Sequence, residues 1–162
     1  MTIADISKIA PCLWFDGNAE EAANFYVALF PDSGIVSVSR WGEKGRFPKG
    51  TALMIEFTLF GQRFQALNAG PEASPNDSVS LSIDCEDADE VDGYWAALTA
   101  DGDQEVQCGW LKDRFGFLWQ VVPRGMGDLI GDPDPARAAR AMQAMIGMKK
   151  LDLAAMRAAV DA

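Results

Sequence analysis

"NAEEAANFYVAL", residues 18–29, and "DADEVDGYWAAL", residues 87–98, are the stretches that decide the fold. They are one amphipathic helix written twice. Ala19, Glu21, Ala28 and Leu29 recur as Ala88, Glu90, Ala97 and Leu98, and the aromatic pair Phe25-Tyr26 recurs as Tyr94-Trp95. An Asn or Asp before the helix and acids in its first turn are common helix grammar. The doubled aromatic at the same offset from the cap is more specific. A second echo follows in the same order: "FGQRFQAL" at 60–67 is matched by "FGFLWQVV" at 115–122, with Phe64 against Trp119 and Gln65 against Gln120. Two ordered echoes indicate a duplicated module, over about residues 9–68 and 78–123, with the second copy shortened in its middle.

Reading outward from the helices, each copy is a strand, a helix, then three strands. In the first, "IAPCLWF" (9–15) is an apolar strand, and the helix runs from Asn18 to before Pro31. Residues 34–41 and 51–60 alternate as strands, and 62–68 is joined to the latter by a tight hairpin at Gly61. In the second, 78–85 is a strand with Val79, Leu81 and Ile83 on one face. A helix follows from about Asp87 to Ala100, then "EVQCGWLK" and "FLWQVV" across a "DRFG" turn. The expected organisation is a first module at 1–69, a linker at 70–77, a second module at 78–125 and a helical tail at 126–162. In the tail, Met142, Met145, Ile146 and Met148 form an apolar stripe that packs on the body or covers a partner subunit.

Composition bounds the function. The 162 residues are 49% hydrophobic, as in a globular protein. No apolar run reaches membrane-span length, and "MTIADISKIAP" lacks the apolar core of a signal peptide, so a cytoplasmic location is expected. Three scattered cysteines fit a reducing compartment. The net charge of −10 argues against nucleic-acid partners. The local exception, "RWGEKGRFPK" at 40–49, is either a solvated loop or a means of steering an anion. The chain has no histidine, which excludes Ser-His-Asp and Cys-His catalysis and removes the commonest transition-metal ligand.

The doubled βαβββ pattern resembles the vicinal oxygen chelate superfamily, which includes glyoxalase I, extradiol dioxygenases and bleomycin-resistance proteins. "PCLWFDGNAEEAANFYVALFPDS", "FTLFGQRFQALNAGP", "QCGWLKDRFGFLWQVVP" and "DPDPARAARAM" are similar to its PhnB-like branch, often labelled 3-demethylubiquinone-9 3-methyltransferase-like. The resemblance implies an α+β fold of two βαβββ modules forming curved mixed sheets around a cavity, with C-terminal helices added. It also implies four positions that hold a divalent metal in other members. Here those are Pro11, Gln65, Ser78 or Ser80, and Gln120, where metal-binding relatives carry His or Glu. Proline offers no ligand, and serine and neutral glutamine are poor ones, so no metal and no cofactor are expected. The methyltransferase label finds no glycine-rich strand-to-helix turn to support it.

Strand alternation nominates the site residues. Phe64 and Trp119 face the helices, which turns Gln65 and Gln120 to the opposite, concave face. The same argument for Leu53, Ile55 and Phe57 turns Glu56 inward, as a general base with a raised pKa or as a partner of Arg63. The glutamines grip a ligand or bond to each other. Asn68 bonds a ligand or starts the turn to Gly70-Pro71, and Trp110 lines the cavity or packs in the core. Cys108 is the thiol nearest a cavity edge, with no histidine to activate it; Cys12 and Cys85 pack as small apolar groups, and Trp14, Trp95 and Trp119 fill the helix–sheet core. A homodimer is expected, and two functions fit: an enzyme using Glu56, Gln65 and Gln120 on a small polar organic substrate, or a module that sequesters an aromatic or amphipathic small molecule without turnover.

Overall fold

A computed structural model describes residues 8–100 and 104–162 of the chain, which fall into two compact units divided after Pro75. The first holds β1 (Cys12–Phe15), α1 (Ala19–Leu29), β2 (Gly34–Arg40), β3 (Ala52–Leu59) and β4 (Gln62–Asn68). The second holds β5 (Ser80–Cys85), α2 (Ala88–Thr99), β6 (Gln104–Glu105), β7 (Trp110–Lys112) and β8 (Leu118–Pro123). Three tail helices follow: α3 (Met126–Ile130), α4 (Pro135–Ile146) and α5 (Leu153–Asp161).

The two sheets have the same topology. Their orders are β1-β4-β3-β2 and β5-β8-β7-β6, with the first strand of each unit parallel to its last and the other pairs antiparallel. Each sheet is covered by its helix on one face. In the first unit Leu13, Phe15, Ile55, Phe57, Phe64 and Ala66 are buried beneath the Ala19, Ala22, Ala23 and Tyr26 side of α1. In the second, Ile83, Leu111, Trp119 and Val121 are buried beneath Val91, Tyr94, Trp95 and Leu98 of α2. Phe64 and Trp119 face the helices, as their alternation predicts. Burial of each large side chain contributes roughly 1.5–3 kcal/mol, which ties the duplicated aromatic pairs to the duplicated cores.

Several local readings are corrected. Asn18 makes no side-chain cap; the N–H groups of Gly17 and Ala19 go instead to Asn68 Oδ1, at 2.9 and 3.1 Å. Asp87 does cap α2, accepting from Glu90 N at 2.9 Å. The hairpin turn is Phe60-Gly61, both at positive φ (48° and 74°), closing the Leu59–Gln62 pair. "EVQCGWLK" is not one strand. A turn at Cys108-Gly109, both in the left-handed region, divides β6 from β7. Val79, read into the 78–85 strand with Leu81 and Ile83, precedes β5 and is exposed.

The tail packs on the second unit. Leu151, Met156 and Val160 are buried, and Arg140 donates to the Val160 carbonyl. Of the predicted stripe, Met142 and Ile146 are exposed while Met145 and Met148 are half-buried. No helix among the described residues is long and apolar enough to cross a membrane.

Candidate functional site

The face opposite the helix carries the polar residues that alternation assigned to it. In the first unit one row across the sheet reads Cys12, Gln65, Glu56, Ser37. The next row, two residues along, reads Trp14, Leu67, Met54, Ser39. Gln65, Glu56, Leu67, Met54 and Trp14 are all half-exposed. Cys12 and Trp14 are corrections to the sequence reading. Both lie on this open face, with Cys12 exposed and Trp14 donating through its indole N–H to Gly70 O at 2.7 Å. Burial of part of the thiol still raises the pKa of Cys12.

Glu56 is the centre of a three-residue cluster. Its Oε1 accepts from Arg63 Nη2 at 2.5 Å and from Gln65 Nε2 at 3.0 Å. Both ion-pair partners are less than one-third exposed. The bond to Arg63, then that to Gln65, hold the Glu56 carboxyl below the usual carboxylate range. The expectation of a raised pKa is therefore corrected: a carboxylate held ionised this way is a weak proton acceptor. Its interaction is complete at neutral pH and above the unfolded value, and fades as pH falls through the lower folded value. Acid titration of Glu56→Gln and the parent should accordingly show their stability difference shrinking as pH falls through that value. A difference that grows on acidification contradicts the ion pair.

The Gln65 amide is oriented by chemistry rather than by fit. An ionised carboxylate only accepts, so the Gln65 NH₂ must face Glu56 and its carbonyl faces away. Gln120 occupies the matching position in the second unit. Its row reads Ser82, Gln120, Trp110, and its Nε2 donates to Ser80 Oγ at 2.8 Å. Each glutamine thus uses an amide N–H inside its own sheet. Trp110 is half-exposed on this face, next to the Lys112–Asp77 ion pair at 2.6 Å.

Asn68 and Cys108 are not brought to these faces. Asn68 is fully buried; besides the two N–H groups it accepts, it donates to Ala52 O at 2.8 Å. Cys108 lies in the β6–β7 turn, its N–H bound to Met148 O of the tail at 2.8 Å. Cys85 is buried, and desolvation pushes its thiol up to about 12. Trp95 and Trp119 are core residues as expected, donating to Glu105 and to the buried Asp113. Three of the four cations of the basic loop pair with acids, Arg40 with Glu20, Arg46 with Glu72, and Lys49 with Glu43, which reduces its attraction for an anion. A depression of about 770 Å³ beside the α2 C-terminus is lined by Thr99, Gln104, Glu105, Val106, Gln107 and Lys149. It holds none of the predicted residues, and its two charges pair with each other.

Paired βαβββ modules, each with one helix-covered face and one polar open face, define the vicinal oxygen chelate fold. Residues 7–122 match the family described as 3-demethylubiquinone-9 3-methyltransferase, and the chain belongs to that family, in its PhnB-like branch. It is 35% identical to the PhnB protein from Bacillus cereus, with a TM-score of 0.65, over 72% of this chain and 99% of that one. A protein from Pseudomonas aeruginosa shares the fold at 19% identity and a TM-score of 0.56, over 72% of this chain and 97% of that one. So does the fosfomycin resistance protein FosX from Listeria monocytogenes, solved with Mn(II) and sulfate, at 14% identity and 0.51, over 80% and 98%. No curated protein matches the chain.

Pro11, Gln65, Ser78, Ser80 and Gln120 make a poor donor set for a transition metal. Pro11 offers only its carbonyl, which accepts from Gln65 N at 2.9 Å. Ser78 is turned to Asn76, and Ser80 is bound by Gln120. Among the described residues no group of three or more His, Cys, Asp or Glu is placed to hold an ion. The one carboxylate beside Gln65, that of Glu56, is neutralised by Arg63.

Proposed function

We propose that this chain binds a small polar organic molecule through the open sheet faces that carry Gln65 and Gln120, without a tightly held transition metal. The observation that carries the reading is the Glu56–Arg63–Gln65 cluster. It is a fixed, partly exposed polar group on a face that its own helix leaves uncovered. A few oriented polar groups among apolar neighbours are the usual make-up of a small-molecule site. Sequestration without turnover is favoured over catalysis, because Glu56 is held ionised by its partners and no activated nucleophile accompanies it. A cytoplasmic, homodimeric protein is part of the proposal. The exposed Met142 and Ile146 support the second copy.

A thermal-shift screen of small polar organics tests the binding reading. Gln65→Leu and Gln120→Leu should each leave the protein folded, at a cost of no more than about 1.5–3 kcal/mol for the one half-exposed hydrogen bond lost. Each should abolish the shift given by any hit. Hits that survive both changes would place the site elsewhere. Metal independence has its own test, elemental analysis of protein purified without chelator, followed by calorimetric titration with Zn²⁺, Ni²⁺ and Fe²⁺. Sub-stoichiometric metal and no micromolar binding are expected; one equivalent lost on Gln65→Ala would refute it.

A further inference from the structure

We infer that the open face of the first unit selects an amphipathic hydrogen-bond donor, an amine or alcohol with an apolar end, and discriminates against carboxylates. The inference rests on the proposed binding role of Gln65 and names the ligand class of that face.

Both bonds to Glu56 arrive at Oε1, one from Arg63 and one from Gln65. Oε2 therefore keeps its acceptor capacity, and so does the Gln65 carbonyl, which the carboxylate forces outward. The two residues are direct partners across β3 and β4, so the two open acceptors lie within reach of one donating group. An incoming carboxylate would bring more acceptors to acceptors, and the Arg63 charge that could attract it is already balanced by Glu56. The net charge of −10 disfavours such an anion further, and three of the four cations of the 40–49 loop are already paired with acids.

The neighbouring row on the same face is mostly apolar. Trp14, Leu67 and Met54 lie side by side across β1, β4 and β3, one row from Cys12, Gln65 and Glu56. Two residues along a strand span about 7 Å. The indole of Trp14 is fixed by its bond to Gly70 O, so the apolar row is a shaped surface. An aromatic ring on this row, joined by a two-carbon chain to an N–H or O–H group, reaches the Glu56–Gln65 acceptors.

Three probes of nearly equal size separate the possibilities: 2-phenylethylamine, 2-phenylethanol and 3-phenylpropanoate. Each is titrated at neutral pH into ¹⁵N-labelled full-length protein, read on the Gln65 side-chain amide resonance, which Gln65→Leu identifies by its disappearance. The amine and the alcohol should shift that resonance saturably and bind at least tenfold more tightly than the propanoate. Glu56→Gln should weaken the amine at least tenfold. If that variant is poorly folded, the charge-balanced Glu56→Gln/Arg63→Gln pair gives the same reading. A propanoate that binds as tightly as the amine, with loss on Gln65→Leu, overturns the ligand class but leaves the site standing. Probes that bind without moving the Gln65 amide overturn both the class and the site. If none of the three binds, the class is overturned, and the broader screen decides the site alone.

Discussion

Asn68→Ala should lower the stability of the first unit by about 4 kcal/mol, a large share of the 5–15 kcal/mol typical of a whole domain. The side chain is completely buried and joins three parts of the chain. Its carbonyl receives the N–H groups of Gly17 and Ala19 at the start of α1, and its NH₂ reaches Ala52 O on β3. Alanine leaves all three backbone groups without a partner, in surroundings that water reaches poorly. Each orphaned group costs roughly 1–3 kcal/mol, and loss of a helix cap alone costs about 1 kcal/mol. Asn68→Asp should be less damaging. A carboxylate still accepts both N–H groups at the positive end of α1 but is set against the Ala52 carbonyl. Urea denaturation followed by the fluorescence of Trp14 and Trp41 measures both variants. If Asn68 instead served a ligand, Asn68→Ala would leave the denaturation midpoint in place and reduce only ligand affinity.

The same residue shows why part of the site is not legible in the sequence. Asn68 sits at a strand end before Gly70-Pro71, where an amide reads as a turn former or ligand group. Two of its three partners, the N–H groups of Gly17 and Ala19, lie about fifty residues earlier, and the parallel β1–β4 pairing, with Phe15 opposite Asn68, brings them to it. The duplication, by contrast, is legible because it repeats both a helix period and a strand period. Ile55, Phe57 and Phe64 are buried because two-residue alternation fixes the face once one member is apolar. Alternation fails for "IAPCLWF", where apolar residues occupy both faces and nothing in the run says which parity meets the helix. That is why Cys12 and Trp14 were expected in the core and lie on the open face. The inward placement of Glu56 follows from alternation, but its pKa depends on Arg63, which stands opposite Thr58, one pair diagonal to it. The diagonal contact reverses the direction of the shift.

Gly109→Ala should cost the second unit about 2–4 kcal/mol, through backbone strain and overpacking together. Gly109 adopts φ +81°, where a side chain is strained whatever the space around it. There is also little space. A Cβ would lie 2.7 Å from Leu151 Cδ1 and 2.9 Å from the main-chain oxygen of Val121. Leucine can shift, but the Val121 oxygen belongs to β8 and cannot move without disturbing the Trp110–Gln120 register. The glycine also holds the tail, because its N–H donates to Lys149 O at 2.7 Å, beside the Cys108 N–H to Met148 O. The substitution should therefore do more than lower the midpoint. It should loosen the 148–151 segment, seen as faster amide exchange at Leu151 and earlier proteolysis after Lys149 or Lys150. Gly147→Ala is the control. Its φ of −77° suits any residue, and a Cβ there meets nothing closer than 3.5 Å, so stability should change by no more than about 0.5 kcal/mol. Cys108→Gly works in the opposite sense, relieving a non-glycine residue at φ 61° and raising stability by about 0.5–1 kcal/mol. If Gly109→Ala leaves both the midpoint and the tail's exchange unchanged, the two main-chain bonds do not anchor the tail, and its attachment rests on Leu151, Met156 and Val160 alone.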